Sequence, residues 1–212
     1  MLRRISSEPL FLDEDFRVMK KIFAFLTILV VGLSSVFAVG LHFSTPYRFI
    51  GNELTDDVEL SSVESIGFGI HCQSSYEYID FDLVFPHTVK CKVDYDDSTT
   101  ESVSVDAKDT DLNLGMEVMS CWSFPIIDKD NVLFTISPGI HHTMLFFDSG
   151  LIYTLGLGGN IQSSFNLGIC YLMVGVNIAY DIAGLRVSNW DPDIGWTGHW
   201  VVSPRIGIGL EF

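Results

Sequence analysis

The chain has 212 residues, with 12 Lys and Arg against 27 Asp and Glu and a formal charge of −15. That acid excess excludes a nucleic-acid binder, which needs a basic face for phosphates, and a protein that docks from solution onto anionic lipid. The length fits one folded domain, and the cysteines at 72, 91, 121 and 170 lack the CxxC spacing of a zinc site.

Residues 1–18 are mixed and unpatterned, and they precede a second methionine, so the expected start is Met19. From there the chain reads MKKIFAFLTILVVGLSSVFA. A charged start, a short apolar run and small residues at Val36 and Ala38 are the pattern of a secretory signal peptide over 19–38, cut after Ala38. The apolar run, Ile22 to Ala38, sits at the short edge of what crosses a bilayer as a helix. The small residues before the cut favour removal over anchoring. No cysteine follows the cut, which argues against a lipoprotein. Export permits disulfides, but four cysteines allow several pairings and the sequence chooses none.

Eight segments of period-two alternation follow in 39–212. The first, 39–49, sets Leu41, Phe43, Tyr47 and Phe49 against His42, Ser44 and Arg48. The second, 62–72, sets Ile66, Phe68 and Ile70 against Gly67, Gly69 and His71. The third, 76–86, sets Ile79, Phe81, Leu83 and Phe85 against Tyr78, Asp80 and Asp82. The fourth, 111–124, sets Leu112, Leu114, Met116, Val118 and Trp122 against Asn113, Gly115 and Glu117. The fifth, 131–142, sets Val132, Phe134, Ile136 and Ile140 against Thr135, Ser137, Gly139 and His141. The sixth, 150–161, sets Leu151, Tyr153, Leu155 and Leu157 against Thr154, Gly156 and Gly158. The seventh, 163–181, starts with Phe165, Leu167, Ile169 and Tyr171 against Asn166 and Gly168, then loses parity from Leu172. The eighth ends the chain: Trp200, Val202, Pro204, Ile206, Ile208, Leu210 and Phe212 alternate with Ser203, Arg205, Gly207, Gly209 and Glu211.

The chemistry of the two faces decides the class. A soluble ligand-binding barrel keeps apolar residues inside and charges outside. Here Arg48, Asp80, Asp82, Glu117, Arg205 and Glu211 all fall on the glycine-rich face, and the wide aromatic-rich face carries none. That inversion predicts an all-β, eight-stranded antiparallel up-and-down transmembrane barrel. In hydrocarbon every amide needs a partner, and a closed ring gives each strand two neighbours. The connections 50–61, 87–110, 143–149 and 182–198 are expected outside the cell. Those at 73–75, 125–130 and 162 are expected as periplasmic turns. Trp122, Phe124, Tyr171, Trp200 and Phe212 are assigned to aromatic girdles.

In this architecture, and in an aromatic-terminated last strand with Ile206, Ile208, Leu210 and Phe212 as an assembly signal, residues 39–212 resemble the small eight-stranded outer-membrane proteins of opacity, OmpW and OmpX type. The acidic, cysteine-containing composition resembles spirochaetal, in particular treponemal, envelope proteins. The resemblance implies outer-membrane lipid and the barrel-assembly machinery as partners, and host surface molecules as partners of the loops.

A ring this narrow holds only its own side chains. The expected lumen is therefore a plug of ion pairs, with Arg48 and Arg205 neutralising Asp80, Asp82, Glu117 and Glu211. His42 and Ser44 share the inner face of the first segment, and Asp148–Ser149 adds a second pair, but neither supplies a complete nucleophile, base and orienting acid. No catalysis, cofactor or metal is expected. His141 and His142 point to opposite faces and make poor joint ligands. Gly156–Gly159 opens no helix and is no phosphate loop. The acids Asp94, Asp96, Asp97, Glu101, Asp106 and Asp109 lack EF-hand spacing and are expected to be solvated. Trp190 and Trp196, in 182–198, are the expected contact surface, because exposed tryptophans are costly without an interface or a partner. The expected function is a surface antigen or adhesin. An OmpW-like channel for small apolar solutes is the alternative, with an envelope-lipid enzyme behind it.

Overall fold

The structure is a computed structural model that describes residues 38–212, apart from 56–57, 75, 95–99, 111, 130, 148–149, 189–190 and 212. At 51–55, 58–60, 94, 188, 191–193, 196–197 and 211 only the backbone is described. The proposed leader and all of the signal peptide before Ala38 lie outside the described residues.

Eleven strands follow one another: β1 (Ala38–Ser44), β2 (Tyr47–Thr55), β3 (Val58–Gln73), β4 (Glu77–Asp94), β5 (Thr100–Asp106), β6 (Leu112–Trp122), β7 (Phe124–Lys129), β8 (Val132–Phe147), β9 (Gly150–Asn166), β10 (Cys170–Ser188) and β11 (Asp191–Glu211). They make eight ring positions. β1 runs on into β2 with its register to both neighbours unchanged, because Pro46 merely removes one ladder N–H. The backbone is still held there, Thr45 N–H donating to Pro204 O at 3.0 Å and Ser65 N–H to Pro46 O at 2.9 Å. β6 runs on into β7 in the same way, along β8. β5 leads into β6 through a 3-10 turn at Ala107–Thr110. Antiparallel pairing then proceeds β1–β3–β4–β6–β8–β9–β10–β11, and β11 pairs back on β1 from Ala38↔Glu211 to Ser44↔Arg205. The ring is closed, so the ladder has no edge at the level of β1.

Alternation holds around the ring. Leu41, Phe68, Leu157 and Ile208 are more than half exposed on the outer face, while His42, Asp80, Thr154 and Arg205 are buried within. Aromatic residues gather at two levels. At one, Tyr180 packs on Trp200 with centroids 4.9 Å apart, and Trp200 stands opposite Phe49, which touches Tyr47. At the other, Trp122 and Phe124 face outward beside the short turns. Between these levels the outer face is an apolar belt, the surface a bilayer covers.

Four expectations change. The turn expected at 162 lies at 167–169, so β9 continues to Asn166. There Asn166 Oδ1 accepts from Gly168 N–H at 2.7 Å, Gly168 takes φ 103°, and Leu167 N–H reaches Cys170 O at 2.8 Å. Positive φ suits glycine, and the Asn side chain mimics a backbone acceptor. The parity of β10 restarts at this turn and is regular from Tyr171 to Asp181, after which a bulge before Ala183 shifts the register against both neighbours. Tyr171 faces inward and is buried, so it belongs to no girdle. A register shift between Leu112 and Leu114 buries Leu112 and exposes Asn113, the reverse of the expected faces. The segments expected as loops at 50–61, 87–110, 143–149 and 182–198 are largely paired hairpins, and 125–130 is mostly β7. β10 and β11 stay paired as far as Ser188↔Asp191, and β4 pairs β5 from Thr88↔Asp106 to Asp94↔Thr100. Strand-forming residues continue past the belt because pairing satisfies the backbone as well as water does.

Refolded in detergent, the barrel is expected to migrate faster in SDS before boiling than after. Phe68→Arg, in the apolar belt, is expected to cost about 2–4 kcal/mol in urea unfolding from lipid vesicles. Ile194→Arg, on the hairpin beyond it, is expected to change stability by less than about 0.5 kcal/mol. Equal costs at the two positions would place the bilayer elsewhere.

Candidate functional site: the filled lumen

The inner face is built in layers. Next to the long hairpins is an apolar cap of Ile50, Val63, Val89, Ala107, Leu112 and Leu145, with Cys91, Phe147 and Ile152 packed on it. The 3-10 turn supplies Ala107, and Thr110 Oγ1 closes that turn by donating to Ala107 O at 2.8 Å. The turn also explains the change of neighbour along β4, from β6 at Glu77–Val84 to β5 at Thr88–Asp94.

Beneath the cap, Arg48 anchors the first charged layer. Its Nη1 donates to Asp181 Oδ2 at 2.7 Å, and its Nη2 donates to Glu117 Oε1 at 3.1 Å and Thr143 Oγ1 at 2.5 Å. Asp181 also accepts from Thr154 Oγ1 at 2.6 Å. His141 Nδ1 lies 2.8 Å from Asp181 Oδ1, and its Nε2 lies 3.9 Å from Glu117 Oε2. Both ring nitrogens therefore face carboxylates, the arrangement of an imidazolium. With that proton the layer balances, two cations against two anions.

The second charged layer is nearer the short turns. Arg205 pairs with Asp80 Oδ2 through Nη1 and donates to Asn177 Oδ1 through Nη2. Asn177 Nδ2 donates to the same Asp80 oxygen at 2.9 Å, and Asn160 Nδ2 donates to Asn177 Oδ1 at 3.2 Å. The guanidinium stacks over Tyr78, 5.4 Å from the ring centroid. Asp82 takes different partners: Ser44 Oγ donates to its Oδ1 at 2.7 Å, and His42 Nε2 lies 3.0 Å from the same atom. Below this layer His71 Nε2 meets Tyr171 OH at 2.6 Å. A floor of amides and hydroxyls follows, with Gln162 Nε2 donating to Ser164 Oγ at 3.0 Å and to Gln73 Oε1 at 3.4 Å. Tyr78, Met119, Cys121, Ala179 and Val201 fill the remaining inner space as an apolar cluster.

Two strands are smooth where their neighbours are bulky. A Cβ on Gly69 would overlap the His42 imidazole, and one on Gly209 would overlap the Tyr171 ring. The glycines of the inner face are therefore berths for side chains from the next strand. The lumen is correspondingly tight: Ser44, His71, Ser137, Asn160 and Asp181 have 0% of their surface accessible. No water-sized sphere reaches them.

Of the expected lumen residues, Arg48 and Glu117 meet in one layer and Arg205 and Asp80 in the other. Asp82 is not reached through an arginine; its close partners are His42 and Ser44. Glu211 lies in β11 opposite Ala38, its side chain outside the described atoms. Ile206, Ile208 and Leu210 face outward and exposed on β11, and Phe212 lies outside the described residues. Trp190 also lies outside them; Trp196 stands opposite Ala183, with only its backbone described. Asp148 and Ser149 lie outside as well. His142 faces outward, away from His141, and its Nδ1 lies 2.7 Å from Tyr153 OH. Sequence reasoning missed Asp181, His141 and Asn177 as lumen partners. Their signal was present: 177, 179 and 181 alternate regularly once the turn is set at 167–169.

The acid that His42 and Ser44 lacked in the sequence is Asp82. It does not build a nucleophilic relay, since Ser44 donates to the carboxylate rather than to the imidazole, and all three groups are sealed from substrate. Arg48→Met is expected to leave Asp181 and Glu117 without their guanidinium and to lower stability by about 3–5 kcal/mol. The urea midpoint in lipid reads this; an unchanged midpoint would mean the network contributes nothing.

No protein-family model matches the chain, and no curated protein matches it. Among solved structures the chain is similar to Neisserial surface protein A, at 9% identity over 82% of this chain and 96% of that one, with a TM-score of 0.51. It is also similar to the outer-membrane protein OprG of Pseudomonas aeruginosa, at 11% identity over 84% and 97%, with a TM-score of 0.48. At such identities the likeness is one of fold. The fold is that of a small eight-stranded outer-membrane β-barrel.

Proposed function

We propose that this chain is an integral outer-membrane protein, exported through the signal peptide at 19–38, whose external hairpins form an antigen- or adhesin-type interaction surface. The observation that carries the reading is the contrast between the two parts of the barrel. The lumen is packed with buried side chains and capped by apolar residues, so the described residues leave no open path for a solute. The hairpins, in contrast, extend well past the aromatic level marked by Trp200. β11 continues from His199 to Asp191 beyond it, on the order of 30 Å of strand at roughly 3.3 Å per residue.

The β10–β11 hairpin is the favoured contact element. β2 pairs with β11 only at Tyr47–Phe49, so the outer part of β11 has β10 as its described neighbour. Ile194 there is 79% exposed, the backbone of Trp196 lies on the same strand, and Trp190 falls outside the described residues. Apolar and aromatic residues held on a rigid ribbon, rather than on a loose loop, lose little entropy on binding. Host surface molecules or other envelope components are the proposed partners. Ile206, Ile208, Leu210 and Phe212 are proposed as the signal read by the assembly machinery, and lipid contacts the belt.

Deleting residues 184–195 is expected to abolish attachment to host matrix or cells while leaving the heat-dependent gel shift intact. The intact protein is expected to be silent in a planar bilayer. Unitary currents, with attachment unaffected by the deletion, would instead favour an OmpW-like channel for small apolar solutes. His42→Ala and Ser44→Ala are expected to leave envelope-lipid masses unchanged; a mass shift lost in both variants would restore the enzyme reading. N-terminal sequencing of the exported protein is expected to begin at Val39.

A further inference from the structure

The second charged layer holds more negative charge than its arginine balances. Arg205 is committed to Asp80 Oδ2 and Asn177, whereas the other oxygen, Asp80 Oδ1, accepts no hydrogen bond although Asp80 is only 1% exposed. A buried carboxylate oxygen with no donor is costly, because nothing replaces the water it lost. That oxygen points at a nitrogen and a second carboxylate. His42 Nε2 lies 3.5 Å from Asp80 Oδ1 and 3.0 Å from Asp82 Oδ1. One atom from each of the three residues lies within 4.8 Å of the other two.

We propose that His42, Asp80 and Asp82 form an internal site for one divalent transition-metal ion, taken up as the barrel closes. Separations of 3.0 and 3.5 Å suit the chemistry. Ligands about 2.1 Å from a tetrahedral zinc stand roughly 3.4 Å apart, so a shared ion needs His42 and Asp82 to part slightly and the two carboxylates to stand within their 4.8 Å limit. One imidazole and two carboxylates suit zinc, manganese or nickel, whereas calcium and magnesium favour oxygen-only sets. The outer contacts prepare the two carboxylates, while His42 Nδ1 is buried without a hydrogen-bond partner. Arg205 and Asn177 fix the far oxygen of Asp80, and Ser44 fixes Asp82. The berth at Gly69 fixes the imidazole. The ligands come from β1 and β4, with β3 between them, so an ion would tie three ring positions together across the middle of the apolar belt. His71, with its ring centroid 5.7 Å from that of His42, and Tyr171 separate the site from the turn end. Uptake therefore belongs to folding, and release to unfolding. This inference is independent of the surface function proposed above.

The competing state is a proton on His42 bridging the two aspartates with no ion. The full barrel, refolded with zinc chloride, passed through EDTA and analysed by mass spectrometry for metals, separates them. About one zinc per barrel is expected to survive EDTA in the folded protein and to be lost on boiling. His42→Gln and Asp82→Asn are expected to retain less than a tenth of that while still giving the heat-dependent gel shift. Refolding with cobalt chloride is expected to give visible ligand-field bands that the His42→Gln barrel lacks. A wild-type barrel that folds but holds no EDTA-resistant zinc, or holds no more than the His42→Gln barrel, overturns the proposal in favour of the proton. The first of these outcomes needs only the wild type, so a variant that fails to fold leaves the proposal open to refutation.

Discussion

Everything in this molecule follows from the requirement that peptide groups inside hydrocarbon find partners within the protein. An open sheet would leave both the N–H and the C=O of every second edge residue unpaired, each group costing several kcal/mol. Pairing β11 back on β1 removes both edges at once. The requirement applies only at the depth of lipid, and the ring respects that limit. Pairing between the two ends of the chain is continuous through the apolar belt and stops near Trp200 and Phe49, where the aromatic level begins. Beyond that level water can serve the backbone, and the strands are free to separate into hairpins.

Closure with eight strands has a second consequence. The enclosed space is about one layer of side chains wide, so what points inward must pack like a protein interior. Yet the outward face has consumed the apolar residues. Between its apolar clusters the inner face therefore carries polar groups, which a tight space favours when they are paired. The lumen pairs most of its charge by dividing it, although Asp80 Oδ1 is left without a donor. Arg48 serves Asp181 and Glu117, Arg205 serves Asp80, and histidines stand beside the carboxylates that remain. Glycines on one strand make room for the bulky partners of the next. Small and large residues thus alternate around the ring as well as along it.

The strands pressed between lipid and lumen are legible in the sequence, and the turns and outer hairpins are not. Period-two alternation across Leu41–Phe49, Ile66–Ile70 and Trp200–Leu210 is imposed by lipid on one side and packing on the other, so the faces of those strands could be read directly. Turns are set by local geometry that interrupts the alternation only weakly. Leu167 and Ile169 continue the apolar beat of Phe165 straight through the Asn166–Gly168 turn, so alternation alone starts the seventh strand too early and turns Tyr171 outward. The Asn–x–Gly spacing was the available signal. That error hid Asp181, because its strand seemed irregular at the point where it supplies the main partner of Arg48. The hairpins were hidden for a different reason. Past the membrane no lipid disciplines the outer face, so paired and unpaired segments carry the same mixed composition.

The two halves of the barrel are accordingly under different physical control. In the belt a single change of parity would turn a charge toward lipid or an apolar side chain into a filled lumen, so pairing, charge and volume constrain one another. The Arg48 layer illustrates this coupling: its residues come from β2, β6, β8, β9 and β10, and no one of them is satisfied without the others. Above the belt β10 stays paired with β9 as well as with β11, and β4 with β3 as well as with β5, with the apolar cap packed inside. A packed lumen supplies rigidity rather than passage. The cap seals the top of that rigid body, and the hairpins rise from it as short, stiff ribbons. Such a body is suited to carry its outer strands at a fixed height above the aromatic level, which is what the proposed interaction surface would require of the buried ion network beneath it.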